Sequence, residues 1–171
     1  RTHDELRGVP GAFRDALAAL GRVRAEGMQA SVNTLLHPGS MPELLDLLEV
    51  LHGERVRAWR MQLTVAMGRA ADRPELLFQP FELLDLFPIL ARAAHRCREL
   101  GIGFFPGNNV GYFGPYETLL RGGTSRAGYW TGCTAGNGTL GIESDGTLKG
   151  CPSLPTAGYS GGNIRTRSLR D

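Results

Sequence analysis

Apolar residues recur at helical spacing in several stretches of the chain. The first is residues 12–26, where an apolar residue returns every three or four positions between Pro10 and Gly27. Residues 42–52 and 82–100 show the same spacing. We therefore predict a helix in each stretch, every one with an apolar side directed at a core.

Short apolar stretches containing Val, Thr or aromatic residues alternate with these helices. They cover residues 28–36, 56–65 and 102–106, and each is of strand length. Strands that alternate with helices at this spacing are typical of a parallel sheet with crossover helices. The predicted fold class is α/β.

The alternation stops after Pro106, where the sequence becomes rich in glycine, asparagine and aromatic residues. We accordingly expect a domain boundary near residues 122–128. It divides the chain into a first domain, residues 1–125, and a second, residues 126–171.

Two cysteines, Cys133 and Cys151, flank a predicted β-hairpin whose turn is the Asp-Gly pair at 145–146. A two-residue turn there places Cys151 opposite Leu140, seven residues from Cys133. The cysteines can therefore approach each other only if residues 134–139 fold back. The Ala-Gly-Asn-Gly core of that segment supplies residues that tolerate positive φ. The rest of the chain, after the second cysteine, is expected to be mostly loop.

Composition excludes several classes of protein. The formal charge is +2, from 19 basic and 17 acidic residues that form no block of like charge, so neither a nucleic acid nor a membrane is an expected partner. No apolar run approaches the roughly 20 residues that cross a bilayer, and no leader pattern opens the chain. We expect a cytoplasmic protein.

The residues alone leave three roles open for Cys133 and Cys151. Three cysteines in 171 residues, the third being Cys97, are too few for a disulfide framework. Unliganded thiols, ligands of a zinc or iron–sulfur site, and a single disulfide all remain compatible with the pattern.

Three segments carry a resemblance to a known family. Residues 132–152, GCTAGNGTLGIESDGTLKGCP, with GGNIR and SL downstream, resemble the opening of a SPASM domain, the auxiliary iron–sulfur extension of radical S-adenosylmethionine (SAM) enzymes. HDELRGVPGAF, residues 3–13, resembles the segment after the fourth strand in these enzymes. RMQLTVAMGRA, residues 60–70, resembles their sixth-strand region.

The resemblance implies a fold and a set of cofactor contacts. The first domain would be the second half of a partial (β/α)6 barrel, and the second would begin a SPASM domain. Cys133 and Cys151 would be ligands of an auxiliary [4Fe-4S] cluster, and Arg7 would meet the carboxylate of SAM. Asn33 and Leu63 would contact its methionine and adenine parts. The chain contains no CxxxCxxC, so the SAM-cleaving [4Fe-4S] cluster and the later SPASM cysteines are expected on missing parts of a longer protein.

The resemblance also implies an activity. The parent would cleave SAM reductively and modify a peptide or protein by hydrogen abstraction, as a peptide maturase, with an electron donor such as flavodoxin or ferredoxin. Sulfatase maturation is disfavoured, because Cys151 precedes Pro152 where anaerobic sulfatase maturases have an aspartate.

Two other kinds of protein remain as alternatives. One is a non-catalytic binding module whose hairpin forms a zinc knuckle. The other is a barrel enzyme that uses acid–base chemistry, for which the predicted strand ends offer only His37.

Overall fold

The computed structural model describes residues 2–121 and 132–169, which belong to two compact units, the second beginning at Gly132. The boundary expected near residues 122–128 lies outside the described residues. In the part of the chain that is described, no helix is both long enough and apolar enough to cross a membrane.

The first unit alternates helices with three parallel strands, as the apolar pattern predicts. Two short helices, at the start and the end of the unit, were not predicted. In chain order the elements are α1 (Thr2–Arg7), α2 (Ala12–Ala25), β1 (Ser31–Leu36), α3 (Leu44–Gly53), β2 (Ala58–Leu63), α4 (Leu83–Glu99), β3 (Gly103–Pro106) and α5 (Glu117–Arg121).

The sheet of this unit has the order β1-β2-β3, and both pairings are parallel. Ser31 pairs with Ala58, which pairs in turn with Gly103, so the strands start in register. Their carboxyl ends therefore meet at one edge of the sheet. This topology is consistent with part of a radical SAM fold, and closure into a partial barrel stays a prediction.

The apolar core lies on one face of the sheet. Trp59 and Met61 of β2 and Leu36 of β1 are fully buried. Helices α3 and α4 cover this face with leucines spaced three or four residues apart, which places them on one side of each helix. Residues that alternate with the buried ones, such as Asn33 and Arg60, are exposed. One-sided burial explains why β1 alternates in sequence although it is a parallel strand.

A buried ion pair fastens α5 to the core. The Arg121 guanidinium donates to Glu117 Oε1 at 2.7 Å, and Glu117 Oε2 accepts the backbone N–H of Phe113 at 2.9 Å. Both charged side chains are less than one-tenth exposed, and Arg121 also donates to the Gly111 carbonyl. Phe113 is fully buried beneath the guanidinium and against Phe87. This aromatic residue therefore packs the core.

The second unit is a three-stranded antiparallel sheet with the order β4-β5-β6. Its strands are β4 (Gly141–Ile142), β5 (Thr147–Lys149) and β6 (Ser160–Asn163). The hairpin between β4 and β5 confirms the prediction, whereas β6 falls in the region expected to be mostly loop.

The register of the hairpin differs from the prediction by one residue. Ile142 pairs with Leu148, and the N–H of Glu143 donates to the carbonyl of Thr147 at 2.9 Å. The loop is therefore three residues, 144–146, and the predicted two-residue turn is wrong. Gly146 has φ +91° and donates to the Glu143 carbonyl, which is the type I turn with a left-handed third residue that such loops use.

The Glu117→Gln variant tests the buried ion pair. We expect the free energy of unfolding to fall by roughly 3 kcal/mol, because the buried Arg121 guanidinium loses the negative charge of Glu117. Chemical denaturation followed by circular dichroism measures this change. Asp15→Asn, which removes the partner of exposed Arg14, is the control and should leave the stability unchanged. Equal stability of the two variants would contradict the assignment.

Candidate functional site

A polar row crosses the exposed face of the parallel sheet. Asn33 of β1 pairs in register with Arg60 of β2, which pairs with Phe105 of β3. The Asn33 side-chain amide donates to Gln62 Oε1 at 2.9 Å. The row thus presents amide groups, a guanidinium and an aromatic ring on one surface. Sequence reasoning identified only Asn33 of these residues.

Leu63 does not join Asn33 on this face. Its side chain packs against the apolar core on the helix-covered side. Its peptide is held by Asn109, whose Nδ2 donates to the Leu63 carbonyl at 2.8 Å and whose Oδ1 accepts the Leu63 N–H at 3.3 Å. The side chains of Asn33 and Leu63, two of the three residues predicted to contact SAM, therefore lie on opposite faces of the sheet, and the role of each stays a prediction.

The HDELRGVPGAF segment is organised around Asp4. Its carboxylate accepts the N–H groups of Gly11 and Phe13, each at 2.7 Å, and so caps the start of α2. These hydrogen bonds hold the pKa of Asp4 below its ordinary value. The bond from the Phe13 N–H contributes most, and a hydrogen bond with His3 adds to the effect. The motif is therefore a structural joint between α1 and α2.

Arg7 lies at the end of α1 and is exposed. It lines a shallow depression together with His3, Asp15 and Arg69. Arg69 follows the carboxyl end of β2, so the loop after that strand contributes a second guanidinium. Two arginines side by side suit a carboxylate.

His37 follows β1 directly and is 6% exposed. Burial lowers the pKa of its imidazole, with Arg73 adding to the shift and Glu43 opposing it. A backbone turn encloses the residue, since Ser40 Oγ donates to its carbonyl at 2.7 Å. This enclosure gives little support to an acid–base barrel enzyme.

The segment after Cys133 folds back against the residue before Cys151. The N–H groups of residues 137, 138 and 139 all donate to the Thr134 carbonyl, and Gly136 has φ +76°. A Cβ on Gly150 would lie 3.0 Å from the Gly136 Cα, so the two backbones touch. The fold-back that would let the two cysteines approach each other is therefore present, and it brings the segment after Cys133 against the residue before Cys151.

The donor chemistry there suits a soft metal site. Cys133 is exposed, its Sγ accepts the Ala135 N–H at 3.4 Å, and Cys151 is half-buried. Thiolates are the preferred ligands of zinc and of iron–sulfur clusters. Within residues 2–121 and 132–169 no three His, Cys, Asp or Glu side chains come together as a metal site. Among the described residues, Cys133 and Cys151 are thus two candidate ligands of the four that a closed site needs, and their role stays a prediction.

Sequence reasoning missed a buried ion pair beside Cys151. Lys149 is 4% exposed, and its ammonium lies 2.5 Å from Glu143 Oε1. Of the 19 lysine and arginine residues, Lys149 is the only lysine, a count that could have directed attention to it.

Curated relatives named AdoMet-dependent heme synthase align with the chain. That of Nitratidesulfovibrio vulgaris is 33% identical over 184 residues, which cover 96% of this chain and 45% of the relative. That of Methanosarcina barkeri is 24% identical over 188 residues, covering 99% and 49%. That of Oleidesulfovibrio alaskensis is 33% identical over 70 residues, covering 41% and 18%.

These relatives support radical SAM membership. SAM and a [4Fe-4S] cluster are the cofactors that such membership implies. The chain spans about half the length of the two relatives that align along nearly all of it. No family model matches the chain. The SPASM domain and the peptide substrate stay predictions.

The Asp4→Asn variant tests the capping role of the carboxylate. We expect it to be less stable than the parent at neutral pH, because an amide accepts the two N–H groups less strongly than a carboxylate. The folded-state pKa of Asp4 lies below the unfolded value of about 3.9, so the stabilisation is present above that value and is lost as the pH falls through the folded pKa.

Thermal unfolding between neutral and acidic pH measures this difference. The stability gap between parent and variant should close on acidification, while Asp15→Asn shows no such pattern. A gap that is independent of pH would contradict the capping role.

The Gly150→Ala variant tests the contact between the cysteine segments. The added Cβ would meet backbone atoms of Gly136 at 3.0 and 3.3 Å, so one segment must shift. We expect a loss of about 1–3 kcal/mol in stability, as for other overpacked sites. Gly161→Ala is the matched control, because its Cβ would meet only the Leu148 carbonyl at 3.8 Å. Equal unfolding free energies for the two variants would show that the segments are not in contact.

Proposed function

We propose that the chain is part of a radical SAM enzyme that acts on a tetrapyrrole in heme synthesis. The observation that carries this proposal is the alignment of 96% of the chain, at 33% identity, with an AdoMet-dependent heme synthase. The name of this relative specifies heme and gives no support to a peptide substrate. Peptide modification is therefore the alternative that the test must separate from tetrapyrrole chemistry.

The polar row on the open sheet face is the proposed surface for SAM. Its amide oxygens can accept from the SAM ammonium, and the Arg60 guanidinium can donate to the carboxylate. The exposed Phe105 ring offers an apolar surface to adenine. The side chains of Asn33 and Gln62 bond to each other across the row, so their amides can exchange partners when SAM binds.

Arg7 is a second candidate for the SAM carboxylate. Arg69, which lines the same depression, lies in the loop that follows β2. That loop leaves the carboxyl end of the strand, the end at which barrel enzymes bind ligands. Leu63 ends the same strand. Its side chain packs against the core and its backbone groups bond to Asn109, which gives little support to the predicted contact with adenine.

When bound, the implied [4Fe-4S] cluster would supply the electron for reductive cleavage of SAM. The chain contributes no CxxxCxxC to that cluster. Its proposed part in the reaction is to bind and orient SAM on the open face. A reductant such as flavodoxin or ferredoxin is proposed as the electron source.

Cys133 and Cys151 are proposed as two ligands of an auxiliary [4Fe-4S] cluster. The proposal is supported by the backbone contact that brings their segments together and by the thiol donor chemistry. The other ligands would come from outside the described residues. A zinc knuckle uses the same donors, so the metal content decides between the two.

The activity is tested with the full-length parent protein, reconstituted without oxygen. We expect deoxyadenosine to form from SAM and dithionite, and a heme precursor to be converted only when both are present. Mass spectrometry measures both products. Turnover with a peptide but not with a tetrapyrrole would overturn the heme proposal, and no SAM cleavage would overturn both.

Asn33→Ala tests the SAM surface in the same assay. We expect the KM for SAM to rise roughly tenfold, since a hydrogen bond to a charged group contributes about 1.5–3 kcal/mol. Arg14→Ala, which removes an exposed guanidinium on α2, is the control and should leave the KM unchanged. An unchanged KM in Asn33→Ala would exclude a contact between this residue and SAM.

A further inference from the structure

The only lysine of the chain is buried in the sheet of the second unit. Lys149 lies on β5, two residues before Cys151, and is 4% exposed. A buried ammonium is costly unless charged and polar partners surround it. Its partners therefore indicate what the lysine does.

Lys149 connects the hairpin to the segment that follows Cys151. Its Nζ lies 2.5 Å from Glu143 Oε1 and donates to the Leu154 carbonyl at 2.6 Å. The second oxygen of Glu143 accepts the hydroxyl of Thr156 at 2.9 Å. The pair thus holds the chain at two points, three and five residues after Cys151.

Cys151 is fixed from both sides as a result. On one side Gly150 touches Gly136 in the segment that begins at Cys133. On the other side the Leu154 N–H donates to the Cys151 carbonyl at 3.2 Å, and Lys149 holds the carbonyl of the same leucine. The turn that carries the thiol is therefore closed on itself and tied to β5.

The structure assigns Lys149 and Glu143 as positioning residues for Cys151. They hold its turn beside the segment that begins at Cys133, where the two thiolates would bind one metal together. This inference rests on the proposed metal role of the two cysteines. Lysine suits the position because a compact ammonium donates in several directions, whereas an arginine fork donates in one plane.

Electrostatics and positioning predict opposite effects when Lys149 loses its charge. Removing a positive charge near a cation site strengthens cation binding by Coulomb's law. Releasing the turn that carries a ligand weakens it. The sign of the change in metal affinity therefore separates the two roles.

The test is a titration of the reduced, metal-free full-length parent protein with Co²⁺, whose thiolate charge-transfer absorption reports ligation by cysteine. We expect Cys151→Ala to remove the absorption of one site, because the cysteines of the SAM-cleaving cluster would also bind Co²⁺. We expect Lys149→Met to weaken Co²⁺ binding about tenfold or more, as is usual when a residue that orients a ligand is removed. Arg167→Met, which removes an exposed cation of the same unit, is the matched control and should bind as the parent does.

A second variant keeps the test valid if Lys149→Met alone does not fold. Lys149→Met combined with Glu143→Leu leaves no unpaired buried charge, so we expect it to fold while its Cys151 turn is released. Circular dichroism verifies the fold before titration.

The outcomes separate this inference from the one that it rests on. Weaker binding in the folded double variant supports positioning. Unchanged affinity and spectrum in that variant overturn positioning and leave the metal site intact. A full-length parent whose Co²⁺ absorption does not depend on Cys151 overturns the metal role itself, and the positioning role with it.

Discussion

Burial of a single face of the parallel sheet is the constraint on which the first unit depends. Trp59 and Met61 lie on the covered face, and the helices that cover it take their apolar sides from the same core. The opposite face is consequently free to carry Asn33, Arg60 and other polar groups. A parallel sheet covered on both sides would bury these residues, and burial of their polar groups would then cost free energy.

The second unit is stabilised differently, because its strands are too short to form a large apolar core. Close backbone contacts and side-chain hydrogen bonds hold this unit together. Gly136 meets Gly150, and Asn163 donates to the Asp145 carbonyl while it accepts the N–H of Arg165. A small unit held in this way is suited to a metal site, since ligand binding adds stability that the apolar residues cannot supply.

Periodicity predicted the three main helices and the parallel strands because apolar spacing follows directly from burial. It failed where structure depends on contacts between distant residues. The strand Ser160–Asn163 contains two glycines and no β-branched residue, so only its pairing with β5 makes it a strand. The hairpin register shifted because Gly146, with positive φ, forms the third loop residue. Of the residues predicted to contact SAM, Asn33 lies where a ligand could reach it, whereas Leu63 faces the core.

The metal content of the full-length protein tests the central claim, that this chain joins part of a SAM-binding sheet to an auxiliary cluster site. Iron and sulfide are measured after purification without oxygen, beside a variant with both Cys133→Ala and Cys151→Ala. The account predicts brown protein with more than one [4Fe-4S] cluster and a loss of about one cluster's iron in the variant. Colourless or zinc-containing protein, or iron unchanged by the substitutions, would contradict it.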